Sequence, residues 1–595
     1  MKRNRFIGMT MLVSMLLAAT SCTDFNDYNE TPVDQQATGN QTLWENILQN
    51  DQLRNFAAIL KRTGFDAELS KSRTYTVWAP LDGTYDASQY EQLSDSLLLQ
   101  RMVKNHVAEY SHVATGALEE RIRVLNDKTY DFVGNGTYTF GGKTVQRPNL
   151  PGNNGVMHLL NGTSDFLPSI YEYLSMGQDI DSLYKQFKRY EISVLDEKKS
   201  VKGPVIGGLQ TYSDSVMNTY NSMVNNINAR IANEDSSYTF LMPNNKAFRD
   251  YYNKVAPLFN YIATTVVPNV EAYENATDDK TKSFTYSEHT PAYLKDSVAR
   301  AVILRNLAYS NNNEYNQWIE GTPSPLGSDT LRSTTRTKFS NPAEILGHTI
   351  QKVTASNGFV RIVDSLAFMP WEAYNPELVI NPYYYAYTND SRKNFSFYTE
   401  SGRVPDSTAV KLLGPGNENF RYLWIKPIDE YSTPTVYLEL PDVLSTTYKF
   451  YAVFMPWRYY EPNSKYFWAF GTDDRKCLLN FQLNYCTARG AAATYNFSSK
   501  FLTSGKASDE NPSRQTKNTA FFNDPQKVDT VYLGQFTFPI AHRYLGNGNY
   551  NPTIRITNPM GVFNPSDVAN YTGEVRLAAI IMKPVELVEY EEKNK

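Results

Sequence analysis

The stretch "SYTFLMPNNKAF" (Ser237–Phe248) has the same pattern as "TYTVWAPLDGTY" (Thr74–Tyr85), and this repeat indicates the fold of both segments. Both segments read Tyr-Thr, three mostly apolar residues and Pro, and each places an aromatic ring five residues after the Pro. The pattern predicts a buried strand that the Pro ends, followed by a turn into a helix whose first aromatic ring returns to the core. Its occurrence twice indicates a duplicated domain.

The flanking sequence repeats in the same order. A pair of short amphipathic helices is predicted before each copy, from apolar residues at helical intervals. After each copy comes a second helical run, and then a strand that follows an Asn-Gly turn. The helical residues are Leu43, Ile47, Phe56 and Ile59 in the first copy and Ile170, Leu174, Leu183 and Phe187 in the second, and the closing strands lie within Asn153–Pro168 and Ser356–Pro370.

This order of elements resembles the fasciclin-like domain. The resemblance implies mixed α/β domains that serve in extracellular adhesion or ligand binding. The second copy departs from the pattern, since Leu307 stands where the first has His106 and Arg361 where the first has His158. It also carries an insertion, including the stretch between Asn311 and Pro342, that we expect to form an exposed loop or hairpin. Family members that bind receptors use motifs near a Tyr-His pair; the nearest equivalent here, "EYSHV" (109–113), is too different for that site to be assigned.

From Trp371 onward, short aromatic-rich strands separated by turn signals predict an antiparallel β-sandwich. The predicted fold class is therefore α+β, with two fasciclin-like domains in series followed by the sandwich. The predicted boundaries are 1–21 for a signal peptide, 22–40 for a lipidated flexible tether, 41–169 and 170–370 for the two fasciclin-like domains, and 371–595 for a sandwich that could resemble a carbohydrate-binding module.

The first residues indicate the compartment. "MKRNR" is a positively charged start and the next 15 residues are mostly apolar, which is typical of a signal peptide too short to span a bilayer. It ends in "ATSC", so Cys22 is the predicted site of lipidation, and the polar, acidic segment after it is typical of a tether. The signal departs from the usual lipoprotein pattern at Ala19, where Leu is common. We expect a lipid-anchored protein of the outer membrane that faces the cell exterior.

The candidate ligand-binding residues are Trp457, Tyr459 and Tyr460 in "MPWRYYEP", because exposed flat rings after a strand can stack on sugars. The competing interpretation is that these rings pack in the core, which is the commoner role of aromatic residues beside strands. The two remaining cysteines, Cys477 and Cys486, could pair in an oxidising compartment if the geometry allowed it.

Several classes of function find no support in the sequence. With 58 Lys plus Arg against 62 Asp plus Glu and no basic stripe, nucleic acid is not an expected partner. No catalytic or phosphate-binding motif occurs, the six histidines are scattered, and we expect no enzyme activity, cofactor or metal. A carboxylate pair assembled from distant positions would not be visible in the sequence.

Seven Asp-Ser/Thr-apolar triplets, such as Asp95-Ser96-Leu97, fit an O-glycosylation signal and the start of a helix equally well.

The resemblance also suggests a role. Lipoproteins of this type occur in nutrient-uptake systems similar to the starch-utilisation type, so the expected partners are a TonB-dependent transporter, its lid lipoprotein, and a glycan or peptide ligand. The expected function is that of an accessory binding component of such a complex, with glycan the favoured ligand. The alternative is an adhesin or structural surface protein that contacts cells or matrix.

Overall fold

Strand β1 (Tyr75–Pro80) and strand β12 (Tyr238–Pro243) are the two repeated segments, and both end at their Pro as predicted. The computed structural model describes residues 39–198, 200–214, 217–262, 265–269, 285–312, 316, 319, 330–388, 395–398, 421–429, 434–460, 465, 467–497, 521–543, 551–558 and 571–594. The predicted signal peptide, Cys22 and nearly all of the predicted tether lie outside these ranges, and so does part of the second copy's insertion.

The described chain is an α+β protein, which confirms the predicted fold class. Its helices span Leu43–Leu48, Arg54–Arg62, Ser88–Glu91, Asp95–Leu98, Ile170–Tyr173, Asp181–Arg189, Ser222–Asn226, Asn245–Val255, Pro291–Leu304, Pro342–Gly347, Pro370–Ala373, Pro382–Tyr385 and Val585–Lys593. No helix in the described ranges is long and apolar enough to cross a membrane.

The strands that follow β1 up to β12 are β2 (Val107–Glu109), β3 (Ala117–Arg123), β4 (Thr129–Asn135), β5 (Thr137–Phe140), β6 (Lys143–Gly152), β7 (Gly155–Leu160), β8 (Glu191–Leu195), β9 (Val201–Ile206), β10 (Leu209–Asp214) and β11 (Met217–Asn221). Those from β13 to β22 are β13 (Thr265–Asn269), β14 (Thr285–His289), β15 (Ala308–Ser310), β16 (Leu331–Arg332), β17 (Lys338–Phe339), β18 (Thr349–Ala355), β19 (Gly358–Val363), β20 (Leu378–Ile380), β21 (Ala386–Tyr387) and β22 (Phe395–Tyr398). The remaining strands are β23 (Leu423–Pro427), β24 (Thr435–Glu439), β25 (Thr447–Phe454), β26 (Arg458–Tyr460), β27 (Phe467–Ala469), β28 (Lys476–Cys486), β29 (Ala492–Asn496), β30 (Phe521–Phe522), β31 (Asp529–Thr537), β32 (Thr553–Thr557), β33 (Tyr571–Thr572) and β34 (Val575–Pro584).

These elements form two compact units. The first comprises the described part of Met1–Tyr173 with Ala232–Ser236 and Thr354–Gly358, and the second comprises Leu174–Ile231, Ser237–Val353 and the described part of Phe359–Lys595. The domain boundaries drawn from the sequence stay predictions.

The first unit contains a seven-stranded sheet in the order β2-β1-β7-β6-β5-β4-β3. Strand β1 is buried on both faces, which explains its nearly continuous apolar sequence. On one face Val77 packs with Leu43 and Phe56 of the first helices. On the other face Trp78 stacks on Phe140, with ring centroids 3.9 Å apart.

The second copy repeats this arrangement. Its sheet has the order β15-β12-β19-β18, which matches the order β2-β1-β7-β6. The Asn before each closing strand also has the same role. The side-chain oxygen of Asn154 accepts a hydrogen bond from the backbone N–H of Leu43, and that of Asn357 accepts one from the N–H of Ile170. The turn and the helix that precede each strand are thereby fixed together.

Two sheets form the C-terminal sandwich. We call the first the β25 sheet, in the order β22-β23-β34-β25-β31, and the second the β32 sheet, in the order β21-β24-β32-β28-β29. Inward side chains of both sheets share one core, including Phe450 and Leu577 from the β25 sheet and Phe481 and Ile554 from the β32 sheet. Alternation of buried and half-buried residues along β24 and β32 leaves one face of the β32 sheet outside this core.

Candidate ligand-binding surface

The candidate aromatic residues lie on a two-stranded hairpin, β26 paired with β27. Its register places Tyr459 opposite Trp468 and Tyr460 opposite Phe467. Because successive side chains of a strand point to opposite faces, adjacent tyrosines cannot share one surface. The hairpin therefore has an inner and an outer aromatic face.

The inner face carries Tyr459 and Trp468. Both pack against a buried cluster that includes Tyr422, Met455 and Phe470. Tyr459 therefore packs in the interior, which is the competing interpretation of these rings. Trp457 precedes β26, so the alternation of the strand does not assign it to a face.

The outer face is organised around Arg458. Its guanidinium carbon lies 4.0 Å from the centre of the Trp457 ring and 4.4 Å from that of Phe467. An Nη1–H group of the same side chain donates a 2.9 Å hydrogen bond to the hydroxyl of Tyr460. Tyr460 and Phe467 remain 58% and 46% exposed. Cation–π contacts of this kind orient rings that would otherwise be mobile in water.

Trp457 is anchored from a second direction. Its backbone N–H donates to the carbonyl of Pro525, and its indole Nε1–H lies 3.4 Å from the side-chain oxygen of Gln526. Trp457 is half-buried, so part of its ring is available at the surface. The outer face can therefore offer Trp457, Tyr460 and Phe467 to a flat apolar ligand surface.

Phe467 and Arg458 were missed as contributors to this surface. Phe467 is seven positions from Tyr460, and only the strand pairing brings the two rings within 5.6 Å of each other. Arg458 lies inside the quoted "PWRYY" stretch, and an Arg between aromatic residues is a signal that could have been used.

The two cysteines do not form a disulfide, which corrects the pairing considered from the sequence. Cys477 and Cys486 are both free and lie near or at the ends of one strand, β28. Nine residues of extended strand separate their Cα atoms by about 30 Å, whereas a disulfide needs about 4.4 to 6.8 Å. Burial raises the pKa of the Cys477 thiol to about 12.

Two histidines of the first unit are buried and neutral. His106 accepts a hydrogen bond at Nε2 from the backbone N–H of Ser164, and its Nδ1 contacts the carbonyl of Met102 at 2.7 Å. His158 accepts at Nδ1 from the N–H of Asn149. Burial lowers the pKa of each imidazole to about 4. Both rings therefore serve as fixed hydrogen-bonding parts of the fold. Among the described residues, no group of three or more His, Cys, Asp or Glu is placed to hold a metal ion.

Comparison with known proteins agrees with the fold of the first unit. Residues 51–163 match the family model of the fasciclin domain, so this part of the chain is similar to fasciclin domains. Fasciclin domains are typically non-catalytic domains of the adhesion type. No curated protein sequence matches the chain.

Two solved structures illustrate the similarities found. A fasciclin domain pair from the insect cell adhesion molecule fasciclin I is 13% identical, with a TM-score of 0.19, over 54% of this chain and 98% of that one. The C-terminal family 22 carbohydrate-binding module of Clostridium thermocellum Xyn10B is 12% identical, with a TM-score of 0.16, over 34% of this chain and 95% of that one.

Proposed function

We propose that the protein is a non-catalytic, ligand-binding lipoprotein of the cell surface whose C-terminal sandwich binds glycan. The observation that carries the proposal is the outer face of the β26–β27 hairpin. Arg458 holds exposed rings in place there, so ligand binding costs little additional side-chain entropy. Rigid aromatic surface with few charges suits the apolar faces of sugar rings.

Full-length protein incubated with insoluble polysaccharides tests the ligand class. Retention by at least one polysaccharide, and loss of retention in Trp457→Ala together with Tyr460→Ala, supports the proposal. Equal retention of this double variant and the wild type would remove the hairpin as the binding surface.

Anchoring through Cys22 is the second part of the proposal, and it is supported by the apolar leader and the polar segment that follows it. Lipidation needs the sulfur atom, so Cys22→Ala should leave the membrane fraction. Protease added to intact cells should degrade the wild-type protein if it faces outward. Complete protection behind a sealed outer membrane would place it in the periplasm.

Partnership with a TonB-dependent transporter and its lid lipoprotein is the third part. It is supported by the combination of a lipoprotein signal with two fasciclin-like repeats, which is typical of such uptake systems. Purification from mild detergent should recover a large β-barrel protein with this chain. Recovery of the chain alone, under conditions that preserve known transporter complexes, would argue against the partnership.

Adhesion is the second candidate function, and the fasciclin domain at residues 51–163 favours it, since such domains are associated with cell adhesion. In this case cells carrying the protein should be retained on host matrix or on other cells. Loss of retention after deletion of residues 41–370, with no barrel partner recovered, would favour adhesion over uptake.

A further inference from the structure

The outer face of the β32 sheet carries a continuous row of side chains across the strands β21, β24, β32, β28 and β29. In the strand register Tyr387 is opposite Tyr437, Tyr437 is opposite Arg555, Arg555 is opposite Gln482, and Gln482 is opposite Asn496. Directly opposed residues of antiparallel strands share a face, and the neighbours of these residues, such as Leu438 and Ile554, are in the core. The row therefore points away from the core and spans about 19 Å at about 4.8 Å per strand.

The two ends of this row differ in chemistry. At one end the rings of Tyr387 and Tyr437 are stacked, with centroids 5.5 Å apart and planes inclined by 19°, and Tyr387 is 38% exposed. At the other end the amide Nε2–H of Gln482 donates a 2.9 Å hydrogen bond to the side-chain oxygen of Asn496. Rings can pack on the apolar face of a sugar, and amides can both donate to and accept from its hydroxyl groups.

Arg555 lies at the centre of the row, and no described residue provides it with a counter-charge. Its Nε–H is buried and unpartnered, and none of the described residues forms a hydrogen bond or ion pair with its guanidinium. Glu439 is opposite Thr553 and therefore lies on the diagonal from Arg555. These two described residues do not form an ion pair. A half-buried guanidinium with free donors is suited to bind a carboxylate through two parallel hydrogen bonds.

A second polar group on the same face has unused capacity. The side-chain oxygen of Asn480 is buried and accepts no hydrogen bond from the described residues. Asn480 is opposite Thr557, two residues along β32 from Arg555. Buried polar groups of folded proteins are nearly always partnered by protein, water or ligand, so Arg555 and Asn480 both have capacity to bind a polar ligand on this face.

We propose that this row binds an extended glycan whose uronic acid carboxylate pairs with Arg555 while a neighbouring sugar packs on Tyr387 and Tyr437. The inference rests on the proposed glycan-binding function and names a ligand class and a second site, separate in sequence and strand pairing from the β26–β27 hairpin. A polysaccharide chain fits a row of this length better than a single sugar does, because aromatic, cationic and amide groups follow one another along it.

The test uses the full mature chain in detergent, titrated with polygalacturonate, alginate and hyaluronan, and with a neutral galactan. Wild-type protein should bind at least one uronic acid polymer more tightly than the galactan, and added salt should weaken this binding. Arg555→Gln should reduce the affinity about tenfold or more, which is the scale of a lost charge-assisted contact. Arg555→Lys should retain part of it, because the charge remains and the paired geometry is lost.

Two further variants separate binding from folding. Glu439→Gln should raise the affinity for the acidic polymer, since it removes a nearby repulsive charge, and a purely structural role of the row does not predict such a gain. Arg121→Gln makes the same charge change at an exposed position of β3 and should leave binding unchanged. Thermal melting of each variant shows whether it is folded.

The outcomes distinguish the row from the broader function. If the wild type binds polysaccharide and neither Arg555→Gln nor Tyr437→Ala weakens binding, the row is not the site and the proposed function stands. If the galactan binds as tightly as the acidic polymers, the carboxylate pairing is wrong. If none of the polysaccharides binds the wild type, both proposals fail.

Discussion

Lys128 and Glu234 are 106 positions apart in the sequence, and their charged groups lie 2.6 Å from each other. The Lys128 side chain is only 3% exposed and also contacts Glu172 at 2.5 Å and the hydroxyl of Ser356 at 3.1 Å. All four residues belong to the first unit, although 232–236 and 354–358 come from far along the chain. One buried ammonium group therefore holds three separate segments together.

Lys128→Met should destabilise this arrangement by about 3 to 5 kcal/mol, because it leaves the nearly buried Glu234 carboxylate without its counter-charge. Hydrogen exchange should show faster exchange in 232–236 and 354–358. Lys71→Met is the matched control, since Lys71 pairs with Glu68 at the surface, and it should cost less than about 1 kcal/mol. Equal effects of the two substitutions would contradict the role of burial.

Acid should selectively destabilise residues 51–163, the part of the chain that matches the fasciclin domain. The folded-state pKa of His106 and of His158 is lowered to about 4 by burial, so the unfolded state binds more protons between about pH 6.5 and pH 4. The stability that these neutral rings contribute is complete above pH 6.5 and is lost as the pH falls. Between pH 7 and pH 5 the expected loss is about 2 kcal/mol per histidine.

Hydrogen exchange of peptides from 51–163 at the two pH values measures this loss. In His106→Gln the pH dependence should shrink by about half, because one of the two titrating rings is gone. A pH dependence that is the same in the variant and the wild type would show that other groups cause it.

Both C-terminal thiols should be present in oxidised preparations. Cys477 is buried and its pKa is raised to about 12, so it should resist alkylation until the sandwich unfolds, whereas the half-buried Cys486 should react first. Mass spectrometry after alkylation under non-reducing, denaturing conditions should find both residues labelled. Recovery of a disulfide-linked pair of peptides that contain Cys477 and Cys486 would contradict the assignment of both residues to strand β28.

The adjacent tyrosines of the β26–β27 hairpin should behave differently. Tyr459→Ala removes a ring from the cluster around Met455 and should cost on the order of 2 kcal/mol of stability. Tyr460→Ala should leave the melting temperature almost unchanged and weaken glycan binding by about 1 to 3 kcal/mol, the scale of stacking on an aromatic side chain. Trp457→Ala should also weaken binding. If Tyr459→Ala impaired binding without loss of stability, the two faces would have been assigned in reverse.

The parts of the fold that depend on local sequence could be predicted. Short sequence patterns predict strands β1 and β12, the Pro that ends each of them, and the Asn-Gly turns. The structure contains all of these features. The burial of β1 on both faces was also visible, because Val77 and Trp78 are both apolar although they point in opposite directions.

The candidate site was less predictable, because it depends on pairing between distant strands. "PWRYY" gives three rings in sequence, but the alternation of a strand turns Tyr459 inward and leaves Tyr460 outside. The row through Arg555 combines residues from 387 to 555, and no local pattern in any one strand identifies it. The same reasoning explains why Cys477 and Cys486 do not pair. They are close in sequence, but one extended strand holds their side chains far apart.

Calorimetric titration of the full mature chain with a panel of polysaccharides, followed by analysis of the recovered polymer, tests whether the protein binds glycan without cleaving it. We expect saturable binding of at least one polysaccharide and, after long incubation, no new reducing ends and no change in polymer length. Absence of binding across the panel would contradict the proposed ligand class, and shortened polymer would contradict a non-catalytic role.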